Sequence, residues 1–322
     1  MAVTVPRDAT WVRFPRMVGD AVMHLPILRL LREAGVGPLV VWGPAATVGL
    51  VAATAFADAV VPDLGRPGPL ELAGILRRHH AARSIHFPKS LRPVLAAFLA
   101  RVPERIGVGE HLAGLLNTHS APFWKARGTF LDRYLAILRL RWPGLGPLPF
   151  ADYDPGVRVA APAGPYICLM PGSLWPSKAW PHYPAVTRLA RAQGFQVAVL
   201  GAPAEAALCA GAAAPGGMDL CGRTTLKEAA AWLRGAAGAL GNDSGLAHLA
   251  AACGTPLVAL YGPTDPSGPV IWGPRVGVLR RPGVPCAPCY RRECPVPGHP
   301  CLADLDPAAA WQTLRELLIL PG

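Results

Sequence analysis

L-G-N-D-S-G-L-A-H-L-A-A-A-C-G-T-P-L-V-A-L-Y-G-P-T-D-P, residues 240–266, is the stretch whose reading decides the fold. An apolar run ends at the polar turn Asn242-Asp243-Ser244. A run of small apolar residues with helical spacing follows, Gly254-Thr255-Pro256 interrupts it, and a second β-like run, Leu257 to Tyr261, leads into a loop. This is a strand, a helix and a strand, the repeating unit of a parallel sheet covered by helices. Asp243 or Ser244 is placed to cap the helix. The amides of Ser244, Gly245 and Leu246 then point outward at its start, an anion site suited to a diphosphate, and Gly245 lets a phosphate come close to the backbone. His248 lies about one turn down the helix, as a site residue or as a packed one. The loop after the next strand, which carries Thr264, falls on the same edge. The simpler alternative for Asp243 and Ser244 is a plain helix cap.

The same alternation extends outward along the chain. Apolar or β-branched runs at 10–14, 39–42, 59–61, 84–87, 166–170, 196–200, 237–240 and 257–261 predict strands. Helical spacing fits 20–33, 69–80, 91–101, 182–193, 204–213, 226–234 and 245–252, with a further helix at the C-terminus. A Pro- and Gly-rich stretch at 152–165 has no helical period and marks a connection. At roughly 100–200 residues per domain, 322 residues make two domains. The expectation is an α/β protein of two Rossmann-like domains, 1–155 and 156–322, with parallel sheets facing across a cleft and ligands beyond the carboxyl ends of the strands.

Composition narrows the partners. With 52% hydrophobic and 16% charged residues the chain has material for two packed cores. Its net charge of +11 calls for an acidic partner: nucleic acid, an anionic membrane or a phosphorylated small molecule. Nucleic acid is disfavoured, because the basic residues are spread rather than striped and do not interleave with aromatics. The uncharged stretch 35–57 is as long as a membrane span, but Pro38, Pro44 and its glycines divide it into a strand, a turn and a helix. No secretory signal is visible at the start, so a cytoplasmic setting is expected. Of eight cysteines, Cys168, Cys209, Cys221 and Cys253 lie in apolar contexts as buried thiols. The others form Cys286-x2-Cys289-x4-Cys294-x6-Cys301, with His299 nearby. Four thiolates suit a structural zinc, although the last two spacings are irregular for a ribbon; free thiols are the alternative.

Two further segments carry chemistry. In M-P-G-S-L-W-P-S-K-A-W-P, 170–181, Lys178 follows a strand and a Pro-Gly turn, so its ammonium reaches a phosphate across a short loop, with the Ser173 and Ser177 hydroxyls beside it. A solvated surface lysine is the alternative. Trp175 and Trp180 either stack on a base or pack the loop. In R-F-P-R-M-V-G-D-A-V-M-H-L-P, 13–26, Asp20 sits at a strand-to-helix turn, as a base or as a cap. Gly19 leaves room for a ligand, and Arg13 and Arg16 either hold an anion or face solvent. Lys89 and Arg92 begin a helix after Phe87-Pro88 on a carboxyl edge, and Arg101 adds charge. Arginine there pairs with phosphate or carboxylate in two-pronged fashion, or is simply solvated.

These blocks, together with V-L-G-A-P-A-E at 199–205 and D-L-C-G-R-T-T-L-K-E at 219–228, resemble glycosyltransferase family 9, the lipopolysaccharide heptosyltransferases, in order and spacing over most of the chain. The resemblance implies a GT-B fold and sugar transfer with inversion of the anomeric carbon, with no cofactor or essential divalent metal. The loop with Lys178, Ser173 and Ser177 would hold the donor diphosphate, together with Asp243, Ser244, Gly245, Leu246, His248 and Thr264. Asp20 matches the family's base. The donor would be ADP-heptose. The acceptor would be an anionic inner-core glycolipid (lipid A–Kdo) met by Gly19, Arg13, Arg16, Lys89 and Arg92, with peripheral contact to the inner membrane. A Cys-rich segment ending in R-R-E-C-P is familiar in heptosyltransferase II-like sequences and absent from many members, which sets Cys286, Cys289, Cys294 and Cys301 apart from catalysis. The short first strand with Trp11 and the Pro15-Arg16-Met17 turn depart from the family and leave the acceptor contacts open. Alternatives are another GT-B enzyme, such as a nucleotide-sugar epimerase, and a zinc-containing nucleic-acid-binding protein.

Overall fold

The computed structural model describes residues 4–319 apart from 53, 64, 66, 88, 89, 124–126 and 269. The chain divides into two compact units, Met1–Ala151 and Asp152–Gly322.

The first unit is built on strands β1 (Thr10–Arg13), β2 (Leu39–Pro44), β3 (Ala59–Asp63), β4 (Arg83–His86), β5 (Glu104–Val108) and β6 (His119–Ala121). They form one sheet in the order β3-β2-β1-β4-β5-β6, with every pair parallel. The second unit holds β7 (Tyr166–Met170), β8 (Gln196–Val199), β9 (Met218–Asp219), β10 (Gly238–Asn242), β11 (Leu257–Tyr261) and β12 (Val276–Arg280). Its sheet runs β12-β11-β10-β7-β8-β9, also wholly parallel. Counted from each unit's own first strand, the two orders are the same doubly wound order. In such a sheet the chain leaves the two central strands in opposite directions, so the loops beyond their carboxyl ends part and open a crevice. In the first unit these strands are β1 and β4; in the second they are β7 and β10.

The central strands read as unbroken apolar runs because helices cover both faces. Every residue of β7, β10 and β11 is buried. Around them Ile167, Leu169, Val186, Val199, Leu240, Val258, Trp311 and Leu314 form the second core. Trp11, Val40, Trp42, Leu72, Leu76 and Ala97 belong to one core cluster of the first. Helix starts follow local chemistry. Thr225 caps Leu226–Gly235, with Glu228 returning a bond of 2.8 Å to the Thr225 amide.

The structure differs from the sequence expectation in two instructive places. The helix expected over 20–33 is two helices, Val18–Met23 and Leu25–Glu33, joined at His24. Pro26 has no N–H for the Val22 carbonyl, and its ring crowds that carbonyl, so the first helix must end before it. Strands β5, β6, β9 and β12 went unpredicted. Three of them are only half-buried or partly exposed along their length, and β9 has two residues. β6 is polar and β9 very short, and a glycine interrupts the apolar residues of β5 and β12, so none shows the unbroken apolar run that flags a central strand. The stretch 152–165 carries no regular element and begins against the second unit: Tyr153 is buried and donates its amide to the Ala252 carbonyl at 2.8 Å.

Candidate active site

The loops after β7, β10 and β11 bring two predicted residues to the carboxylate of a third. Lys178 Nζ lies 2.6 Å from Asp243 Oδ2 and 3.2 Å from the Asp243 carbonyl oxygen. Thr264 Oγ1 donates to the same Oδ2 at 2.8 Å. The carboxylate side chain is 6% exposed and the lysine 17%, so the pair is screened from water on most sides while its ammonium keeps an open face. Lys178 also stands over the Trp175 ring, 4.9 Å from its centroid. Asp243 is therefore an orienter of Lys178 and Thr264. The expected capping bond is not made: Ser244 holds the N-cap position of Gly245–Ala252, but no side chain caps that helix. Its first-turn amides are thus left by the cap for another acceptor. Ser244, Gly245 and Leu246 are half-buried there.

Below this pair His248 is buried. Burial pushes its imidazole down to about 4, with Lys178 adding to the depression and Asp243 opposing it. At neutral pH it is uncharged and leaves the positive charge to Lys178. Of the two serines, Ser173 donates to the Trp175 carbonyl at 2.7 Å, and Ser177 is buried and donates to the Arg291 carbonyl. Both hydroxyls shape the loop. Trp180 is a core residue, pinned to the Leu305 carbonyl at 3.1 Å, which leaves Trp175 as the tryptophan beside the site.

Sequence reasoning passed over the scaffold of this site. Asn242, fully buried at the end of β10, donates to the Pro171 carbonyl at 2.7 Å and accepts from Tyr183 Oη at 3.0 Å. It clamps the two central strands where their loops part. A polar amide closing an apolar strand was the available signal, since a buried amide requires partners. Gly172 also meets a neighbour: a Cβ there would overlap the Glu205 carboxylate, so a side chain in the turn before Lys178 would require that carboxylate to shift.

In the first unit Asp20 lies at the third position of helix Val18–Met23, just after β1. Burial raises its carboxyl above its ordinary value, against the depression that a helix start by itself would give. His24 Nδ1 bonds the Asp20 carbonyl oxygen at 2.7 Å. A carbonyl only accepts, so Nδ1 carries the proton. The ring sits among Phe14, Phe87 and Tyr134 with centroids 5.4, 5.5 and 5.7 Å away, and burial pushes it down to about 4. The Tyr134 phenol is pushed upward by burial and by the Asp20 charge. Asp20 thus has an aromatic, uncharged support.

The other predicted residues of this unit divide. Gly19 is half-buried and Arg16 exposed on the same turn. Arg13 does not stand free in either expected way. Its guanidinium makes a bidentate pair with Asp63, at 3.0 and 2.7 Å, above the Trp42 ring at 4.8 Å. It is drawn there because β1 and β3 flank β2, so Asp63 and Arg13 meet over the strand between them. Arg92 approaches the same carboxylate at 3.9 Å and donates to the Pro67 carbonyl at 3.3 Å. Lys89 lies outside the described residues. With side chains 7% and 6% exposed, Asp63→Asn is expected to cost about 3–5 kcal/mol by leaving a buried guanidinium half-paired. Urea unfolding of the variant checks this, and a loss below about 1 kcal/mol would contradict it.

The cysteine segment lies in the second unit. Cys286 is exposed, Cys289 and Cys294 are half-buried and Cys301 is buried, all as free thiols. All four, with His299, line one cavity of about 120 Å³ that Ser177 and Pro263 also border. As placed, no three His, Cys, Asp or Glu side chains among the described residues form a set that could hold a metal ion.

A cation fixed by a buried carboxylate, next to uncapped helix amides at the parting of two central strands, suits a diphosphate whose charge grows as a bond breaks. Residues 71–299 match the family model described as glycosyltransferase family 9 (heptosyltransferase). The chain is 30% identical to lipopolysaccharide heptosyltransferase 2 of Salmonella typhimurium, covering 96% of this chain and 98% of that one. The solved structure of E. coli ADP-heptose lps heptosyltransferase II superposes with a TM-score of 0.76 and 23% identity, over 97% of this chain and 98% of the other. That of E. coli heptosyltransferase WaaC with ADP-2-deoxy-2-fluoro heptose gives 0.71 and 22%, over 95% and 99%. The fold is the expected GT-B fold, and the chain is a glycosyltransferase that belongs to glycosyltransferase family 9, the heptosyltransferases.

Proposed function

We propose that this enzyme moves a heptose from ADP-heptose, with inversion, to a hydroxyl of a lipopolysaccharide inner-core acceptor. The second unit binds the donor and the first the acceptor. The acceptor oxygen attacks the anomeric carbon and its proton passes to the Asp20 carboxylate. The bond from the anomeric carbon to the diphosphate breaks, and its electron pair leaves on ADP. Lys178 and the amides of Ser244, Gly245 and Leu246 meet the charge that develops on the diphosphate, so no cofactor enters the step. Asp243, itself steadied by Thr264, holds that cation in place, the neutral His248 adds no competing charge, and Ser173 and Ser177 shape its loop. Gly19, Arg16 and Arg92, with Lys89 and Arg13, lie in the acceptor half, where an anionic glycolipid is met. Heptosyltransferase relatives and the nucleotide-sugar complex among the similar structures support this choice of donor.

The observation that carries the proposal is the Lys178–Asp243–Thr264 constellation at the carboxyl ends of β7, β10 and β11. No helix among the described residues is long and apolar enough to cross a membrane. We place the reaction at the inner face of the inner membrane by peripheral contact, on the strength of the resemblance and the charge. The net charge of +11 favours the anionic leaflet. A donor screen tests the function: ADP-heptose and other nucleotide sugars are offered with and without a Kdo-containing lipid acceptor, and ADP release is followed. We expect release from ADP-heptose that depends on the acceptor. Turnover of a nucleotide sugar without any acceptor would point to an epimerase instead.

A further inference from the structure

Residues 284–301 form mostly irregular backbone that is tied to both donor loops. Ser177 donates its amide to the Arg292 carbonyl at 3.0 Å and its hydroxyl to the Arg291 carbonyl. Tyr290 donates its amide to the Pro263 carbonyl at 2.8 Å. On the far side of the cavity Cys301 and Leu302 press on Gly262, where a Cβ would fall 3.0 Å from Cys301 Sγ and 2.6 Å from Leu302 Cγ. Ser177 is the neighbour of Lys178, and Gly262 and Pro263 precede Thr264. The segment is thus a strap across the two loops whose side chains converge on Asp243.

The two ends of the strap are packed, with Val284, Ala287 and Cys301 against the second core, but Cys286, Tyr290, Arg291, Arg292 and Glu293 between them are exposed. What its four cysteines share is the small cavity behind the loops, where His299 Nε2 is buried without a hydrogen-bond partner. We propose that Cys286, Cys289, Cys294 and Cys301 bind one thiophilic divalent ion, zinc or iron(II), and that this ion sets the strap and through it Lys178 and Thr264. The donor chemistry fits the task, and the four thiols share one cavity, but as placed no three of them form a metal-holding set among the described residues, so they must converge on the ion. Four thiolates satisfy a tetrahedral ion without further ligands, and the cavity of about 120 Å³ exceeds the needs of one ion. Binding draws the three more accessible thiols inward around the buried Cys301. The ion contacts no substrate and acts by positioning, as metal binding and local folding are coupled in such segments. The consequence for donor affinity rests on the function proposed above; the consequence for loop order does not.

The test uses the full-length protein, stripped with a thiol-compatible chelator and reloaded with Zn²⁺ or Fe²⁺. Metal content is measured by mass spectrometry, amide hydrogen exchange by peptide, and ADP binding by calorimetry. One ion per chain is expected, together with at least tenfold slower exchange in 173–178 and 262–266 on reloading, and at least tenfold tighter ADP binding. Cys289→Ser with Cys294→Ser should abolish metal uptake and the zinc response. If stripping unfolds the chain, Co²⁺-loaded protein decides, because coupling requires its thiolate-to-metal absorption to shift when ADP saturates the site. Failure to take up one ion overturns the proposal, as does uptake with unchanged exchange in both loops, or a cobalt spectrum indifferent to ADP. Slowed loop exchange with no ADP binding in any form would instead sink the donor assignment and leave the strap standing.

Discussion

Asp20→Asn is expected to lower turnover by about 100- to 10,000-fold, the range for loss of a general base, while ADP binds as before. The amide is nearly the same size but cannot take a proton. ADP is held by the other unit in the proposed mechanism, so its affinity should not follow the catalytic loss. Two further signs separate a base from a merely structural carboxylate. The first is pH. Burial raises the Asp20 carboxyl, and in the proposed mechanism the active form is the deprotonated one. Thus kcat/KM of the wild type should fall as pH drops through a value above the ordinary carboxylate range. Asp20→Asn should lose that limb.

The second sign is stability. A carboxyl whose folded-state proton affinity is raised stabilises the fold below its unfolded pKa, and loses that contribution as pH rises through the folded one. At pH 7 the charged Asp20 therefore opposes folding, and Asp20→Asn should be at least as stable as the wild type in urea. A variant that is inactive and also markedly less stable would show that Asp20 holds the turn together rather than serving the reaction. Turnover within tenfold of wild type would remove it from the base role altogether.

Lys178→Ala should produce the second large effect, a fall in kcat of about 100- to 1,000-fold, comparable with removing one preorganised donor from developing negative charge. The ammonium is placed by two contacts to Asp243 and by the Trp175 face, so it needs little reorganisation as the diphosphate departs. Its loss also leaves the Asp243 carboxylate buried with Thr264 as its remaining side-chain partner. ADP affinity should fall as well, since a carboxylate no longer neutralised by lysine repels the diphosphate. Lys178→Ala with Asp243→Asn separates the two terms: it should recover much of the ADP affinity and little of kcat. If the double variant regained turnover, Lys178 would serve only to neutralise Asp243. Lys178→Arg is expected to be a poor replacement, because the planar guanidinium does not fit the point contact at 2.6 Å.

The sequence determined the layered α/β plan, because strands buried on both faces must be continuous apolar runs and their helices must keep a 3.6-residue period. Tyr166–Met170 and Leu257–Tyr261 were legible to the residue for that reason. The same holds for the stations of the proposed donor site. Asp243, Thr264 and Lys178 each follow a fully buried strand, and parallel topology sends all three to one edge. What each side chain does there was not legible, since it depends on neighbours far along the chain. Asp243 turns to Lys178 rather than capping its own helix, because the fold brings a cation within 2.6 Å, and a buried carboxylate is held more strongly by a charge than by an amide. Arg13 turns to Asp63, fifty residues away, because the sheet places β1 and β3 on either side of β2. Asp20 gains its raised proton affinity only when the folded unit buries it. Local pattern settles which residues reach an edge; only tertiary packing sets the dielectric and the partners that decide their charge.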